Sequence, residues 1–346
     1  MFFASDNSGP AHPSVMEAIM RANDGYRFGY GADDEMDRVR QQIRDLFEAP
    51  DAAVYLVTTG TAANVIALGT LTQPWETIFC TKMAHINEDE CNAPEFYSGA
   101  KLTLVPDENA KITPSTLIAT IEGEETRGVH GPQRGPISIT QVTEKGTVYT
   151  LDELKALSDV AKSYGLKTHL DGARFANAIV TLGCTPAEMT WKAGIDVVCF
   201  GGTKNGLMGV EAVVFFDPAL AWEFELRRKR GAHLLSKHRY LSAQMEAYLD
   251  GDLWHELATQ SNASGQRLAE GLRASNAVTF SYEPEANLMF FNMPRGLHKK
   301  VQAAGAQYYL MASLEGDDDE IVEGRLVCDW SVGPDGVDAF LDALRR

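Results

Sequence analysis

Cysteine is sparse and unpatterned: five residues in 346, with no C-x-x-C pair, so neither a disulfide framework nor a zinc site is expected and the cysteines read as free thiols. Long apolar runs are missing as well. Stretches such as Ala212-Val213-Val214-Phe215-Phe216 fall far short of the roughly 18 residues of a membrane-spanning helix, so no membrane partner is expected. Positive charge is in short supply, 31 Lys and Arg against 48 Asp and Glu for a net charge of −17. That balance argues against nucleic acid, whose binding is driven largely by counterion release from basic patches. No basic head and apolar stretch opens the chain, so the expected location is cytoplasmic. Two nucleotide signatures are also absent, the G-x-G-x-x-G turn after a strand and the G-x-x-x-x-G-K-[ST] loop, which argues against nicotinamide and P-loop chemistry.

What is present is an ordinary globular composition, 45% hydrophobic and 23% charged, in a chain long enough for about two domains. From residue 53 to 330 strands alternate with helical stretches, the rhythm of an α/β protein with a mostly parallel sheet. Strands are predicted at Val54–Val57, Thr77–Cys80, Leu102–Val105, Ile137–Val142, Lys167–Leu170, Val197–Phe200 and Ala212–Phe216. Thr150-Leu151-Asp152-Glu153 has the capping-box form, and Leu151, Leu154, Leu157 and Ala161 follow at helical spacing. The stretch from Pro218 to about Tyr248 reads as helical and unusually basic, with Arg227, Arg228, Lys229, Arg230, Lys237 and Arg239. It is either a solvated helix face or a site for a phosphate or carboxylate. Beyond Asp250 a helix, strands at Val278–Tyr282, Leu288–Asn292 and Arg325–Trp330, and a closing helix suggest a smaller α+β domain. The acidic run Glu315 to Glu320 reads as a solvated turn without cationic partners.

Three segments put polar residues at the end of a predicted strand, where open α/β sheets bind ligands. Thr59-Gly60-Thr61-Ala62-Ala63-Asn64 can bring backbone N–H groups and a helix N-terminus to a phosphate. His169-Leu170-Asp171-Gly172-Ala173-Arg174 offers an aspartate able to keep a heterocyclic nitrogen protonated and an arginine able to hold a carboxylate in two-pronged fashion. Gly201-Gly202-Thr203-Lys204-Asn205-Gly206 sets a lysine among small residues after a buried strand, where lost solvation frees its amine for a Schiff base. Each alone has a plain structural explanation: tight packing, a surface ion pair, a surface lysine. Together, in this order, they are what pyridoxal 5'-phosphate requires.

With these residues the chain resembles the low-specificity L-threonine aldolases and phenylserine aldolases, within the fold type I pyridoxal-phosphate enzymes. The resemblance runs over nearly the whole chain. It rests on Ser5-Asp6-Asn7, Tyr30-Gly31 with Asp33-Asp34, Gly60 to Asn64, Ala84-His85, Asp89-Glu90-Cys91, Ser138 to Gln141, His169 to Arg174, Gly201 to Gly206, and Arg325. It implies an aminotransferase-like α/β fold: an N-terminal arm (1–15), a large domain (16–248) with a mostly parallel seven-stranded sheet, and a small C-terminal α+β domain (249–346). It also implies that Lys204 carries the cofactor, that Asp171 bonds its pyridine nitrogen and that Gly60, Thr61 and Thr203 bind its phosphate. A basic residue from 227–239 would assist them. His85 would stack on the ring, Arg174 would lie beside it, and Ser5, Arg174 and Arg325 would hold the substrate carboxylate. The base that takes the β-hydroxyl proton stays open among His85, His130, Glu144, Asp89 and a water, because Glu144 stands where another branch of the family has a histidine. No metal ligand set is expected. The implied reaction is cleavage of L-threonine, L-allo-threonine or a related β-hydroxy-α-amino acid to glycine and an aldehyde. β-Elimination or transamination with the same cofactor is the enzymatic alternative, and a non-catalytic anion-binding protein the other. Family members assemble as tetramers built from dimers, which implies a homotetramer with sites at the dimer interface, where the basic stretch and Tyr30 would complete a neighbour's site.

Overall fold

The computed structural model describes residues 1–345. Seven strands form one sheet: β1 (Ala53–Val57), β2 (Glu76–Thr81), β3 (Lys101–Val105), β4 (Gln133–Thr140), β5 (Thr168–Gly172), β6 (Val197–Gly201) and β7 (Glu211–Phe215). Their order is β1-β7-β6-β5-β4-β2-β3. All run parallel except β7, which is antiparallel to both β1 and β6. The seven predicted strands are therefore all present, in the mostly parallel sheet expected. β4 begins at Gln133 rather than Ile137, because Pro136 and Gly135 hide its first half from a reading based on β propensity.

Both faces of the sheet are covered, which explains why its central strands read as continuous apolar runs rather than alternating ones. Val198 and Phe200 face one core with Leu56, Val214, Phe175 and Tyr248. Val197 and Cys199 face the other with Val57, Val213, Phe215 and the small residues of helix Gly60–Leu71. That helix is buried nearly all round, from Ala62 to Thr70, as expected of an element wedged between a sheet and further helices. The helix at Leu151–Ser163 carries the predicted capping box, with Thr150 and Glu153 each accepting from the other's backbone N–H at 3.2 and 2.7 Å.

A second sheet follows, built from β8 (Thr279–Phe280), β9 (Leu288–Pro294), β10 (Tyr309–Leu310) and β11 (Ile321–Val327), in the order β8-β9-β11-β10. Its core joins Met289, Phe291 and Leu326 to Leu268, Leu272 and Phe340 of two long helices. The first residues of the chain belong to this layer: Phe3 is fully buried in it, donates its N–H to Gln307 O at 2.8 Å and accepts from Val327 N at 2.9 Å. The N-terminus thus docks on the small sheet and then crosses to the large one.

Two expectations are corrected. The basic region is not one helix; it divides into Ala221–Arg230 and Arg239–Leu249, interrupted at Gly231 and by Ala232 in the left-handed region at φ 64°. The acidic run 315–320 is not without cations. The guanidinium of buried Arg295 donates to Ser313 O, Asp317 O and Glu320 Oε2 at 3.1, 2.8 and 2.6 Å, and Lys299 reaches Asp318 at 2.6 Å. A turn that looks self-repelling in sequence is wrapped around two basic residues some 20 positions earlier.

Three histidines, His169, His238 and His298, are buried and have their proton affinity lowered by it, the first two most. His169 in β5 sits between Ser138 Oγ (2.9 Å) and Cys199 Sγ (3.3 Å), and burial pushes its pKa down to about 4. Burial likewise takes His238 down to about 3, with Arg228 and Arg40 adding repulsion, and the Asp33 carboxylate 3.7 Å from its Nδ1 is too far to hydrogen-bond a proton there. The unfolded chain binds these protons near pH 6.5, so their contribution to stability is whole above that pH and is lost as pH falls toward 4, at up to about 3 kcal/mol per group. Thermal unfolding followed by circular dichroism is expected to give a melting temperature several degrees lower at pH 5 than at pH 7.5. A flat profile over that range would rule out uncharged buried histidines.

Candidate active site

Parallel strands aim their C-terminal ends at one edge of the sheet, and the chemistry gathers there. A cleft at that edge is lined by Gly60, Asn64, His85, Thr140, Val142, Glu144, Asp171, Ala173, Arg174 and Lys204. These come from the turns after β1, β2, β4, β5 and β6. Asp171 is the penultimate residue of β5 and 3% exposed. Its Oδ1 accepts from Ala173 N at 3.0 Å and its Oδ2 from Asn64 Nδ2 at 2.8 Å. Lys204 follows β6 in a tight turn whose glycines are required by space: a Cβ on Gly201 would meet Ala173 O at 2.6 Å. Burial lowers the proton affinity of Lys204 and Arg174 lowers it further, against the pull of Asp6, Asp171 and Glu211.

Gly60 is the first residue of its 12-residue helix. The cap is Thr59, whose hydroxyl accepts from Ala62 N at 3.1 Å, so Gly60 and Thr61 keep their donors free. A side chain built on Gly60 would meet only open space. A helix N-terminus bare of side chain at the cleft is a ready anion cradle.

His85 opens a short helix after β2, and its backbone N–H donates to Glu144 Oε1 at 2.9 Å. Its Nδ1 is 2.9 Å from Glu90 Oε1. Hydrogen bonding to that carboxylate raises the His85 pKa, outweighing burial. Glu90 is in turn 3.1 Å from Asn64 Nδ2, so one amide joins the carboxylate behind His85 to Asp171. Burial pushes up both Glu90 and Glu144, and their hydrogen bonds offset only part of that rise.

Arg174 is not paired with Asp171. Its Nε and Nη2 clasp Asp6 Oδ2 and Oδ1 at 2.6 and 2.9 Å, and Asn287 donates to the same Asp6 at 3.2 Å. Burial alone would raise Asp6, but the charges of Arg174 and Lys204 hold its carboxyl below its ordinary value. Arg325 donates to Ala4 O at 2.9 Å and stacks over Tyr309 at 4.9 Å, while its buried Nε has no partner among the described residues. Ser5 caps the turn at Asp6–Ser8, accepting from Asn7 N at 3.1 Å. The N-terminal segment therefore draws Ser5, Arg174 and Arg325 toward one another.

One sequence expectation fails at the level of position. His130 is exposed in the turn before β4, at the opposite end of an eight-residue strand from Thr140, roughly 25 Å of extended chain away. It is not part of this cleft. Tyr30 and the residues 227–239 do not line it either. Tyr30 is 53% exposed beneath Lys229, whose Nζ is 4.8 Å from its ring. Arg227 pairs with Glu223 at 2.7 Å, and buried Arg228 with Glu225 at 3.0 Å. Asp89 is exposed at the end of the short helix. Asn64, Glu90 and Glu211 belong to the site's polar network; Asn64 and Glu90 stand in motifs named above but without a role, and Glu211 in none, since nothing in a linear pattern signals contacts between separate strand ends.

Residues 3–294 match the family model of the beta-eliminating lyases. A low specificity L-threonine aldolase of Pseudomonas aeruginosa is 40% identical over 331 residues, covering 95% of this chain and 92% of that protein. Its counterpart in Saccharomyces cerevisiae is 31% identical, over 84% of this chain and 73% of the yeast protein. The solved structure of a Leishmania major threonine aldolase superposes with a TM-score of 0.93 at 27% identity, covering 100% of this chain and 98% of that one.

If the Glu90 carboxylate is what holds the proton on His85, Glu90→Gln removes the largest upward cause, leaves only the charge of Asp171 against burial, and moves the His85 titration to lower pH. Proton NMR of the histidine ring signals between pH 5 and 9 reads this directly. An unmoved His85 midpoint would contradict the pairing.

Proposed function

The chain belongs to the beta-eliminating lyase family, and from that premise we propose that it is a pyridoxal-phosphate-dependent low-specificity L-threonine aldolase. It cleaves the Cα–Cβ bond of L-threonine, L-allo-threonine and related β-hydroxy-α-amino acids, phenylserine among them, to glycine and an aldehyde. The observation that carries this reading is the meeting of Lys204, Asp171, His85 and a bare helix N-terminus in one cleft. The cleft suits the cofactor on its own evidence. It has a desolvated amine, a buried carboxylate bonded only by neutral donors, and open space at Gly60 for an anion.

Lys204 would hold the cofactor covalently, Gly60, Thr61 and Thr203 its phosphate, and Asp171 would keep a proton on its ring nitrogen. His85 would lie against the ring. When bound, pyridoxal phosphate supplies the electron-withdrawing ring that accepts the electron pair of the breaking bond. Arg325, with its free Nε, and the open edge of Arg174 hold the substrate carboxylate, with Ser5 beside them. Asp6 occupies two of Arg174's donors and so fixes the direction in which the remainder points. Holding the carboxylate fixes which bond at Cα stands perpendicular to the ring, and that choice decides between aldol cleavage and proton loss.

Glu144 is the residue we assign to the β-hydroxyl proton, directly or through a water. It lines the cleft, and burial brings its proton affinity closer to neutrality than an exposed glutamate's, which suits a general base. His85 is less suited, because Glu90 favours its protonated form. β-Elimination or transamination would use the same Lys204 and Asp171, and the products separate them.

Assembly as a homotetramer, a dimer of dimers with sites at the dimer interface, fits the surface. Phe96 (83% exposed) and Leu226 line one groove, Trp222 stands one turn before Leu226, and Tyr26 and Phe28 are 99% and 82% exposed. So much exposed aromatic surface marks an interaction site. No residue of 227–239 lines this chain's own cleft, so cations for the phosphate come from a second copy.

Purified wild-type protein with L-threonine or L-allo-threonine and pyridoxal phosphate is expected to yield acetaldehyde and glycine, and Lys204→Ala none. A keto acid and ammonia instead would establish elimination, and a wild type that binds no cofactor would overturn the assignment. Glu144→Gln should keep the cofactor's absorbance and lower kcat by about 10²–10⁴-fold; an unchanged kcat would return the base to His85. Light scattering in solution is expected to give four times the chain mass, and a monomer would exclude shared sites.

A further inference from the structure

One carboxylate at the site has no role in the reading above. Glu211 is the first residue of β7, 5% exposed, with Val57 of β1 opposite it on one side and Gly201 of β6 on the other. Because β7 runs against its neighbours, its beginning lies at the edge where their ends lie. Glu211 Oε2 accepts from Gly202 N at 2.9 Å, and the Thr203 hydroxyl, whose oxygen accepts from Val210 N at 3.2 Å, stands near enough to stabilise the charged carboxylate. The two residues just before Lys204 thus both stand against this one side chain.

The other carboxylates around Lys204 are engaged elsewhere. Asp6 is clasped in two-pronged fashion by Arg174, and Asp171 is held by Asn64 and Ala173 toward the cleft. Glu211 is met by neutral donors and makes no ion pair among the described residues. We propose that Glu211 is a positioning residue for Lys204, fixing the loop that carries it and supplying the negative charge that keeps a proton on the lysine nitrogen. This rests on the reading of Lys204 as the cofactor lysine.

The electrostatics agree with the geometry. Burial pushes Glu211 up to about 7, with Thr203, Gly202 and Lys204 drawing it down and Asp171 opposing them. The other titratable groups that feel it are Cys199 on β6 and Tyr248 on helix Arg239–Leu249, both held neutral by burial, so Lys204 is the cation that Glu211 faces. Above pH 7 the carboxylate is ionised and supports the lysine's proton; below pH 7 that support is withdrawn.

The test is a pH titration of the visible absorbance of the cofactor-loaded, full-length protein, whose midpoint reports the proton on the Lys204 nitrogen. Borohydride fixation and peptide mapping confirm the attachment. Glu211→Gln keeps an acceptor for Gly202 N–H and removes the charge. Its midpoint is expected to fall by about one pH unit, a tenfold loss of proton affinity, while Glu211→Asp stays near wild type. Glu211→Met gives the same reading should the Gln variant not fold. Cofactor fixed at Lys204 with equal midpoints in wild type and Glu211→Gln overturns the role of Glu211 alone. An Asp variant that shifts as far as the Gln variant also overturns it. Wild-type protein with no cofactor fixed at Lys204 overturns the proposal together with the reading beneath it.

Discussion

Asp171 is the constraint around which the site is arranged. A carboxylate at the end of a central strand, 3% exposed, cannot keep its water, and a buried charge is tolerated only when hydrogen-bonded and matched. The chain supplies two neutral donors, the Ala173 N–H and the Asn64 amide. Asn64 stands on the first turns of helix Gly60–Leu71, the helix that offers its N-terminus to an anion. One side chain therefore fixes the anion cradle relative to the carboxylate, and through Glu90 fixes His85 as well. Asp171 makes no ion pair among the described residues, and on the proposed function a protonated ring nitrogen would supply the matching charge.

The second constraint is the path of the N-terminus. Phe3 is anchored in the small sheet, and three residues later Asp6 is clasped by Arg174 of the large one and by Asn287 at the start of β9. Arg325 from β11 holds the backbone of Ala4 between them. This crossing brings Arg174 and Arg325 to one short segment, Ala4 to Asp6, from positions 151 residues apart in sequence. Each arginine is partly satisfied by the protein and partly open, which limits the directions a ligand can approach from.

The strands and the helix starts could be read from sequence because their signals are local: apolar runs covered on both faces, a capping box, a glycine at a turn. That Lys204, Asp171 and Gly60 meet in one cleft could be read because parallel strands bring their ends to one edge. Glu211 escaped that rule by sitting at the start of the one reversed strand. Asn64 and Glu90 escaped it because their importance is a contact across 26 residues. His130 failed in the opposite way: a histidine near a strand looks available until the strand's direction places it at the far end. The acidic run at 315–320 failed because Arg295 and Lys299 are neighbours only in space.

The charge of the cleft gives the reason for its many glutamates. Lys204, Arg174 and Arg325 bring three positive charges; Asp6, Asp171, Glu90, Glu144 and Glu211 could bring five negative ones. Where so many carboxyls are gathered, burial and mutual repulsion raise the proton affinity of those least compensated by cations and hydrogen bonds. Glu90, Glu144 and Glu211 are the three raised by burial; Glu90 stands at the ring of His85, Glu144 at its backbone N–H, and Glu211 at the loop that carries Lys204. The apolar packing that buries them thus also raises their hold on protons within a strongly acidic protein. A histidine in Glu144's place would take a proton by adding positive charge, whereas the glutamate takes one by losing negative charge. In a cleft where Glu90 already favours a protonated His85, the second course avoids placing two cations side by side.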